Sequence, residues 1–344
     1  MAFPEPLTIE PARLVVDGDK VIDAQHGDWY FQYDGVDETR HVYLQGAGVL
    51  DRLATGSKVV VAEIGFGTGL TYRTVQNAAL EAEFADNLHY IGVEGRPLTG
   101  AQSAIANSMR PHDFHWSPSS ETPRAGFVQE DDGLLLLHGD AVQALSRLEA
   151  QVDVWFLDGF SPAKNPSAWT AELFEQIARL SRPGARLATF TAAGNVRRGL
   201  EDVGFATAKR EGWAKKREHL TAEFRGQWSP RLEPNKPLNI AGAGVAGLNL
   251  ALAAKAQGWT PVIHGSGLEA QGSAVPTALI NYRPSGDLGP LGHLRKAAFF
   301  ALDDYLDAAS LGVESVVTDE KLRRRWAEET EVAHYSSNDG VCLK

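Results

Sequence analysis

From about residue 58 the chain alternates short apolar runs with longer stretches in which apolar positions recur every three or four residues. KVVVAEI (58–64), LHYIGVE (88–94), LLLLHGD (134–140), VDVWFLD (152–158) and ARLATFT (185–191) read as strands. Amphipathic patterns at about 70–84, 97–109, 141–149, 170–181 and 194–203 read as the helices between them. Strands separated by helices predict an α/β fold with a mostly parallel sheet and crossover helices. After 204, GFATAKREGW and REHLTAEF follow each other with no helix between, which predicts an antiparallel hairpin closing the sheet. The polar, proline-bearing insert at 110–130 reads as a surface loop or lid.

SPRLEPNKPL (229–238) holds three prolines and reads as a linker, dividing the chain into 1–228 and 239–344. The second part opens with LNIAGAGVAGLNLALAAKAQGWTPVIHG, a strand, a glycine turn, a helix and a strand. Gly242, Gly244 and Gly247 there have the G-x-G-x-x-G spacing of a dinucleotide-binding loop. The acid expected about 20 residues further on to hold a ribose is absent; the second strand ends His264-Gly265-Ser266. In the tail, Arg323-Arg324-Arg325 is followed by EETE, and the mixed charges read as a solvated helix.

Net charge is −11, which argues against indiscriminate adhesion to nucleic acid, but the charge is unevenly spread. Residues 1–150 carry 22 acids and 10 bases, whereas 151–236 carry 10 acids and 14 bases. Arg197, Arg198, Lys215 and Lys216 fall in the basic part and could form a local phosphate-binding face. The opening MAFPEPLTIEPARLVVDG lacks the basic and apolar regions of a signal peptide, and the apolar stretch at 239–254 is too short to span a bilayer. One cysteine, Cys342, precludes an intramolecular disulfide framework, and a cytoplasmic protein without membrane contact or metal is expected.

The chemistry sits where the apolar runs stop. Glu63-Ile-Gly65-Phe-Gly67-Thr-Gly69 follows the first run, and its G-x-G-x-G spacing, without a Gly-Lys-Ser/Thr, suits a ligand lacking a pyrophosphate. Glu94, Asp140 and Asp158 end the second, third and fourth runs, so a parallel sheet places them along one carboxyl edge beside that loop. Each could simply cap the next helix. Together with Glu63 they suit a cationic adenosine ligand, S-adenosylmethionine rather than ATP: Glu94 for the ribose hydroxyls, Asp140 for the adenine amino group, Asp158 for the transferable group. A primary amine to be methylated has a pKa of about 10, and a carboxylate beside it can orient it and take its proton. In WFLDGFSPAKNP (155–166), Asp158 is that carboxylate, Phe160 could stack on a base and Lys164 could meet a phosphate.

EIGFGTGL, GVEGRPL, LHGDA, WFLDGFSPAKNPSAWT, LATFTAAGNVRRGLEDVGF and EGWAKKREHL, in this order, resemble the methyltransferase half of the bacterial MnmC family of tRNA wobble-uridine enzymes. The resemblance covers about 20–226, and DGFSPAKNP is its specific part. It implies a Rossmann-like methyltransferase that moves a methyl group from S-adenosylmethionine to the primary amine of 5-aminomethyl(-2-thio)uridine at tRNA position 34. It assigns Asp158 to catalysis and Gly65, Gly67, Glu94 and Asp140 to the cofactor, and makes tRNA the partner, with no protein partner evident. Residues 239–310 resemble the start of that family's FAD-dependent half but are too few for a complete one, so a partial unit that does not hold FAD is expected. Three alternatives remain open: a bifunctional enzyme that retains flavin chemistry, a methyltransferase of small-molecule amines, and a non-catalytic binding protein.

Overall fold

The computed structural model describes residues 6–32, 35–131, 133–214, 217–228, 237–242, 244–256, 258–265, 313–316, 333–335 and 340–343. The chain clusters into two units, one spanning Pro4–Ser229 and the other containing Pro230–Lys344.

The first unit begins with an antiparallel sheet of β1 (Leu14–Asp17), β2 (Lys20–Asp23) and β3 (Asp28–Gln32). Sequence reading places no strands here, yet the signals are present: Asp17-Gly18-Asp19 makes the β1–β2 turn, with Gly18 at φ 61°. Helix α1 (Gly35–Thr39) runs into a π-helical turn, Arg40–Gln45, and helix α2 (Val49–Leu53) follows. The main sheet then forms from β4 (Val59–Ile64), β5 (Leu88–Glu94), β6 (Gly126–Asp131), β7 (Leu134–His138), β8 (Val152–Leu157), β9 (Ser181–Thr189), β10 (Phe205–Glu211) and β11 (Glu218–Phe224). Its order is β10-β11-β9-β8-β4-β5-β7-β6. The pairings within β9-β8-β4-β5-β7 are parallel, and β6, β11 and β10 add antiparallel strands at the two edges.

The helices are α3 (Leu70–Glu81), α4 (Gly100–Asn107), α5 (Ala141–Ser146), α6 (Ala171–Leu180) and α7 (Gly194–Asp202). All six residues of β8 are buried, and alternate ones serve opposite faces. Trp155 and Leu157 pack with Leu173, Phe174, Ile177 and Leu200, while Val154 and Phe156 pack with Tyr43, Val75 and Tyr90. The indole N–H of Trp155 is satisfied by Ser181 Oγ at 2.9 Å, so the large ring is buried without stranding a donor.

The insert at 110–130 differs from the expected surface loop. Residues 126–131 are the edge strand β6, and Trp116 packs edge-on against Phe66 at 4.8 Å. Its carbonyl takes hydrogen bonds from Ser103 Oγ (2.6 Å) and Asn107 Nδ2 (2.9 Å). Buried polar and aromatic anchoring thus ties down a stretch whose composition reads as loose.

In the second unit, β12 (Pro237–Ala241) and β13 (Thr260–His264) pair in parallel, with α8 (Val245–Ala256) between them. Gly242 has φ 101°, and a Cβ on Gly247 would lie 2.0 Å from the Gly242 carbonyl, so the turn needs glycine at both places. His264, standing where a ribose-binding acid is expected, is 2.8 Å from Asn239 Oδ1. Strands β14 (Val313–Val316), β15 (Ala333–Tyr335) and β16 (Gly340–Leu343) form an antiparallel sheet. The helix expected around Arg323-Arg324-Arg325 lies outside the described residues. Among the described residues, no helix is long and apolar enough to cross a membrane, and no group of three or more His, Cys, Asp or Glu could hold a metal.

Candidate active site

Strand β4 lies between β5 and β8, and the chain leaves it first toward β5 and β7, then crosses back to β8 and β9. The sheet therefore reverses direction at β4, and a crevice opens at the carboxyl ends of its strands. A cavity of about 620 Å³ occupies that position. It brings together Gly65, Gly67, Glu94, Asp140, Asp158 and Phe160, all named from the sequence.

The glycine loop is held by its neighbours. The N–H groups of Gly65 and Phe66 donate to the Val93 carbonyl at 2.9 and 3.1 Å. Gly65 has φ 89°, and a Cβ there would sit 2.7 Å from the Gly159 backbone, so β4 and the loop after β8 approach closely only because the residue is glycine. Gly69 starts α3 in the left-handed conformation, φ 71°.

Glu94 accepts the Gly67 N–H through Oε2 and the Arg96 N–H through Oε1, both at 2.8 Å. Burial raises its pKa, against the lowering effect of those two backbone donors and the Arg96 guanidinium. Asp140 is exposed at the rim and accepts the Gln143 N–H at 2.9 Å, so it caps α5 while also lining the cavity. Glu63 departs from its expected place. It is 1 % exposed, does not line the cavity, and accepts the Tyr90 hydroxyl at 2.9 Å. Burial first, and Asp158 next, push its carboxyl well above the usual range.

Asp158 lines the cavity, with its N–H on the Ile64 carbonyl at 2.9 Å. Thr71 donates to its Oδ2 at 3.0 Å, and the Tyr43 hydroxyl donates to its Oδ1. The stiff loop that follows is clamped from β3: Asp28 Oδ2 accepts the Ser161 N–H at 2.7 Å, and Asp28 Oδ1 pairs with Lys164 Nζ at 3.1 Å. Lys164, read as a phosphate contact, is thus held by Asp28 and the Gly27 carbonyl, although it remains 41 % exposed at the cavity. Phe160 meets His26 at 5.0 Å and Tyr30 edge-on at 5.2 Å, making an aromatic wall between the two sheets. His26 in turn is held by the fully buried Asp23, Nδ1 to Oδ2 at 2.7 Å.

Arg197 and Arg198 lie on α7 outside the cavity lining, and Arg197 forms a two-oxygen pair with Glu201, both at 2.8 Å. Lys215 and Lys216 lie outside the described residues. Sequence reading missed Asp28, Tyr30, Tyr43 and Thr71. Asp28, Tyr30 and Tyr43 lie more than 100 positions from the loop they serve, and only the alternating apolar pattern of 14–32 could have signalled that a sheet covers the crevice.

Residues 108–225 match the S-adenosyl-L-methionine-dependent methyltransferase family. The chain is 40% identical over 258 residues to the tRNA 5-methylaminomethyl-2-thiouridine biosynthesis bifunctional protein MnmC of Ectopseudomonas mendocina, covering 68% of this chain and 39% of that one. It is 36% identical over 299 residues to the protein of the same name from Pseudomonas aeruginosa PAO1, covering 79% and 46%. The crystal structure of MNMC2 from Aquifex aeolicus superposes with a TM-score of 0.48 at 18% identity, covering 65% of this chain and 73% of that one. The family match at 108–225 contains Asp140 and Asp158 of the cavity lining, whereas the glycine loop and Glu94 lie before it. Residues 108–225 thus match an S-adenosyl-L-methionine-dependent methyltransferase family, and the chain is similar to the MnmC proteins while spanning less than half of these two relatives' length.

Proposed function

We propose that the chain methylates the primary amine of 5-aminomethyluridine, with or without a 2-thio group, at the wobble position 34 of tRNA. The single observation behind this reading is a carboxylate, Asp158, that faces a cavity beside an aromatic wall while two hydroxyls hold it from behind. S-adenosyl-L-methionine supplies the methyl group on a sulfonium. Glu94 and Asp140 bind the ribose and adenine, and Gly65 and Gly67 let the backbone approach. Asp158 accepts a hydrogen bond from the amine, takes a proton from the ammonium so that its lone pair is free, and faces the positive charge that nitrogen regains on methylation. Phe160 stacks on the uracil ring, and the basic segment with Arg197, Arg198, Lys215 and Lys216 meets tRNA phosphates.

In this reading 1–228 is the methyltransferase domain, 229–238 a linker, and 239–344 an FAD-binding-like unit without flavin chemistry. His264 supports the last point, because the place of a ribose-binding acid is filled by an imidazole engaged with Asn239. A cytoplasmic location accompanies a tRNA substrate.

The test supplies labelled S-adenosyl-L-methionine with tRNA bearing either 5-aminomethyl- or 5-carboxymethylaminomethyl-uridine, followed by nucleoside analysis. Label from the aminomethyl nucleoside alone supports the proposal. Label from both assigns flavin chemistry to 239–344, and label from neither moves the acceptor to another amine.

A further inference from the structure

The π-helical turn Arg40–Gln45 joins two places far apart in sequence. On one side His41 Nε2 lies 2.8 Å from the Glu211 carbonyl, at the end of β10, and its ring packs on Trp213 and His219 at 5.6 and 5.5 Å. His219 Nδ1 reaches that same carbonyl at 2.8 Å. The β10–β11 loop is closed there by the Gly212 N–H on the Arg217 carbonyl at 3.1 Å. Two residues along the turn, Tyr43 is 2 % exposed and donates its hydroxyl to Asp158 Oδ1. Its ring packs on Phe156 at 5.3 Å, and its hydroxyl also lies 3.5 Å from the Leu157 carbonyl. The wider turn of a π-helix alters the angle between successive side chains, and such turns concentrate at functional sites.

We propose that Tyr43 is a positioning residue for Asp158: anchored through His41 to the β10–β11 hairpin, its phenol fixes the carboxylate's orientation and favours its ionised form for the amine. A hydrogen bond to the charged form of a carboxylate favours that form. Thr71, from α3, holds the other oxygen in the same way. The remaining titratable neighbours are Glu63, buried on β4 and bonded to Tyr90 on β5, and Glu38 on α1, half-buried at the cavity, which raises the pKa of Tyr43 after burial and Asp158. Burial, first among these causes, holds the Tyr43 phenol well above its usual range, so it remains a donor. The proposal uses the methyl-transfer reading above for its kinetic arm only.

The test is Tyr43→Phe, which keeps the ring packing and removes the donor. The expected result is a kcat lower by about 10- to 100-fold, an acid limb of kcat moved to higher pH, and an unchanged S-adenosyl-L-methionine Kd. His41→Gln, which loosens the anchor and keeps the phenol, lowers kcat in the same direction by a smaller factor. The second measurement needs no substrate: the carboxyl ¹³C signal of Asp158, assigned by its loss in Asp158→Asn, titrates at higher pH in Tyr43→Phe than in the parent. Failure of the parent to methylate tRNA refutes the proposed substrate and leaves this titration to decide on Tyr43. An unmoved titration, or parental kcat and pH profile in Tyr43→Phe, overturns the proposal.

Discussion

Glu94 Oε2 accepts the backbone N–H of Gly67 at 2.8 Å, which makes the acid ending β5 and the glycine loop after β4 one mechanical unit. Under the proposed function, the residue that meets the cofactor ribose also holds the loop that cradles the rest of the ligand. Glu94→Ala removes both roles, and S-adenosyl-L-methionine affinity is expected to fall by about 10- to 100-fold, the size of one or two charge-assisted hydrogen bonds. Isothermal titration calorimetry measures it; a parental Kd removes Glu94 from the binding site.

Asp158→Asn keeps the side chain's size and removes the charge that, under the proposed function, accepts the amine's proton. Turnover is expected to drop by at least about 100-fold, with cofactor affinity near that of the parent, in a labelled-methyl assay run beside the calorimetry. Unchanged turnover would take Asp158 out of the mechanism.

Gly65→Ala forces a Cβ to within 2.7 Å of the Gly159 backbone at φ 89°, and neither strand can withdraw without breaking sheet hydrogen bonds. The expected cost is about 2 kcal/mol of stability, read from the urea midpoint by circular dichroism. A stable variant with normal cofactor affinity contradicts the close approach.

Glu63 gives a pH dependence whose sign follows from its raised pKa. Between the ordinary carboxylate range and the folded-state value, the native protein keeps a proton that the unfolded chain releases. Glu63 therefore makes the protein less stable as pH rises through that window and has no such effect below it. Glu63→Gln abolishes this dependence while still accepting from Tyr90. Its urea midpoint is expected to decline less than the parent's between about pH 5 and 8; equal slopes would show that Glu63 ionises normally.

Asp28 and Lys164 form a pair, but their losses are not equivalent. Lys164→Ala removes a half-exposed partner worth about 0–1 kcal/mol, whereas Asp28→Ala also releases the Ser161 N–H and frees the loop that carries Asp158 and Phe160. Asp28→Ala is expected to lower kcat several times more than Lys164→Ala does, measured on tRNA at saturating cofactor. The reverse order would mean that Lys164 acts on the substrate directly.

Local sequence pattern is enough to place the sheet and the edge on which the candidate site lies. Apolar runs such as VDVWFLD announce strands buried on both faces, because hydrophobic burial is local in pattern, and an acid ending such a run must fall at the strand's carboxyl end. Gly65, Gly67, Glu94, Asp140, Asp158 and Phe160 were legible for that reason. Tertiary structure decided which of these carboxylates meets the cavity and which does not. Glu63 and Ile64 are neighbours in β4, and the side-chain alternation of a strand turns Glu63 away from the ligand, into the protein beside Tyr90. It also supplied the second layer of the site, Tyr43, Thr71 and Asp28, since a hydrogen bond such as that between Tyr43 and Asp158 spans 115 positions and leaves no periodic trace. Polar contacts of this kind are set by the path of the folded chain, which no local pattern of apolar and polar residues encodes.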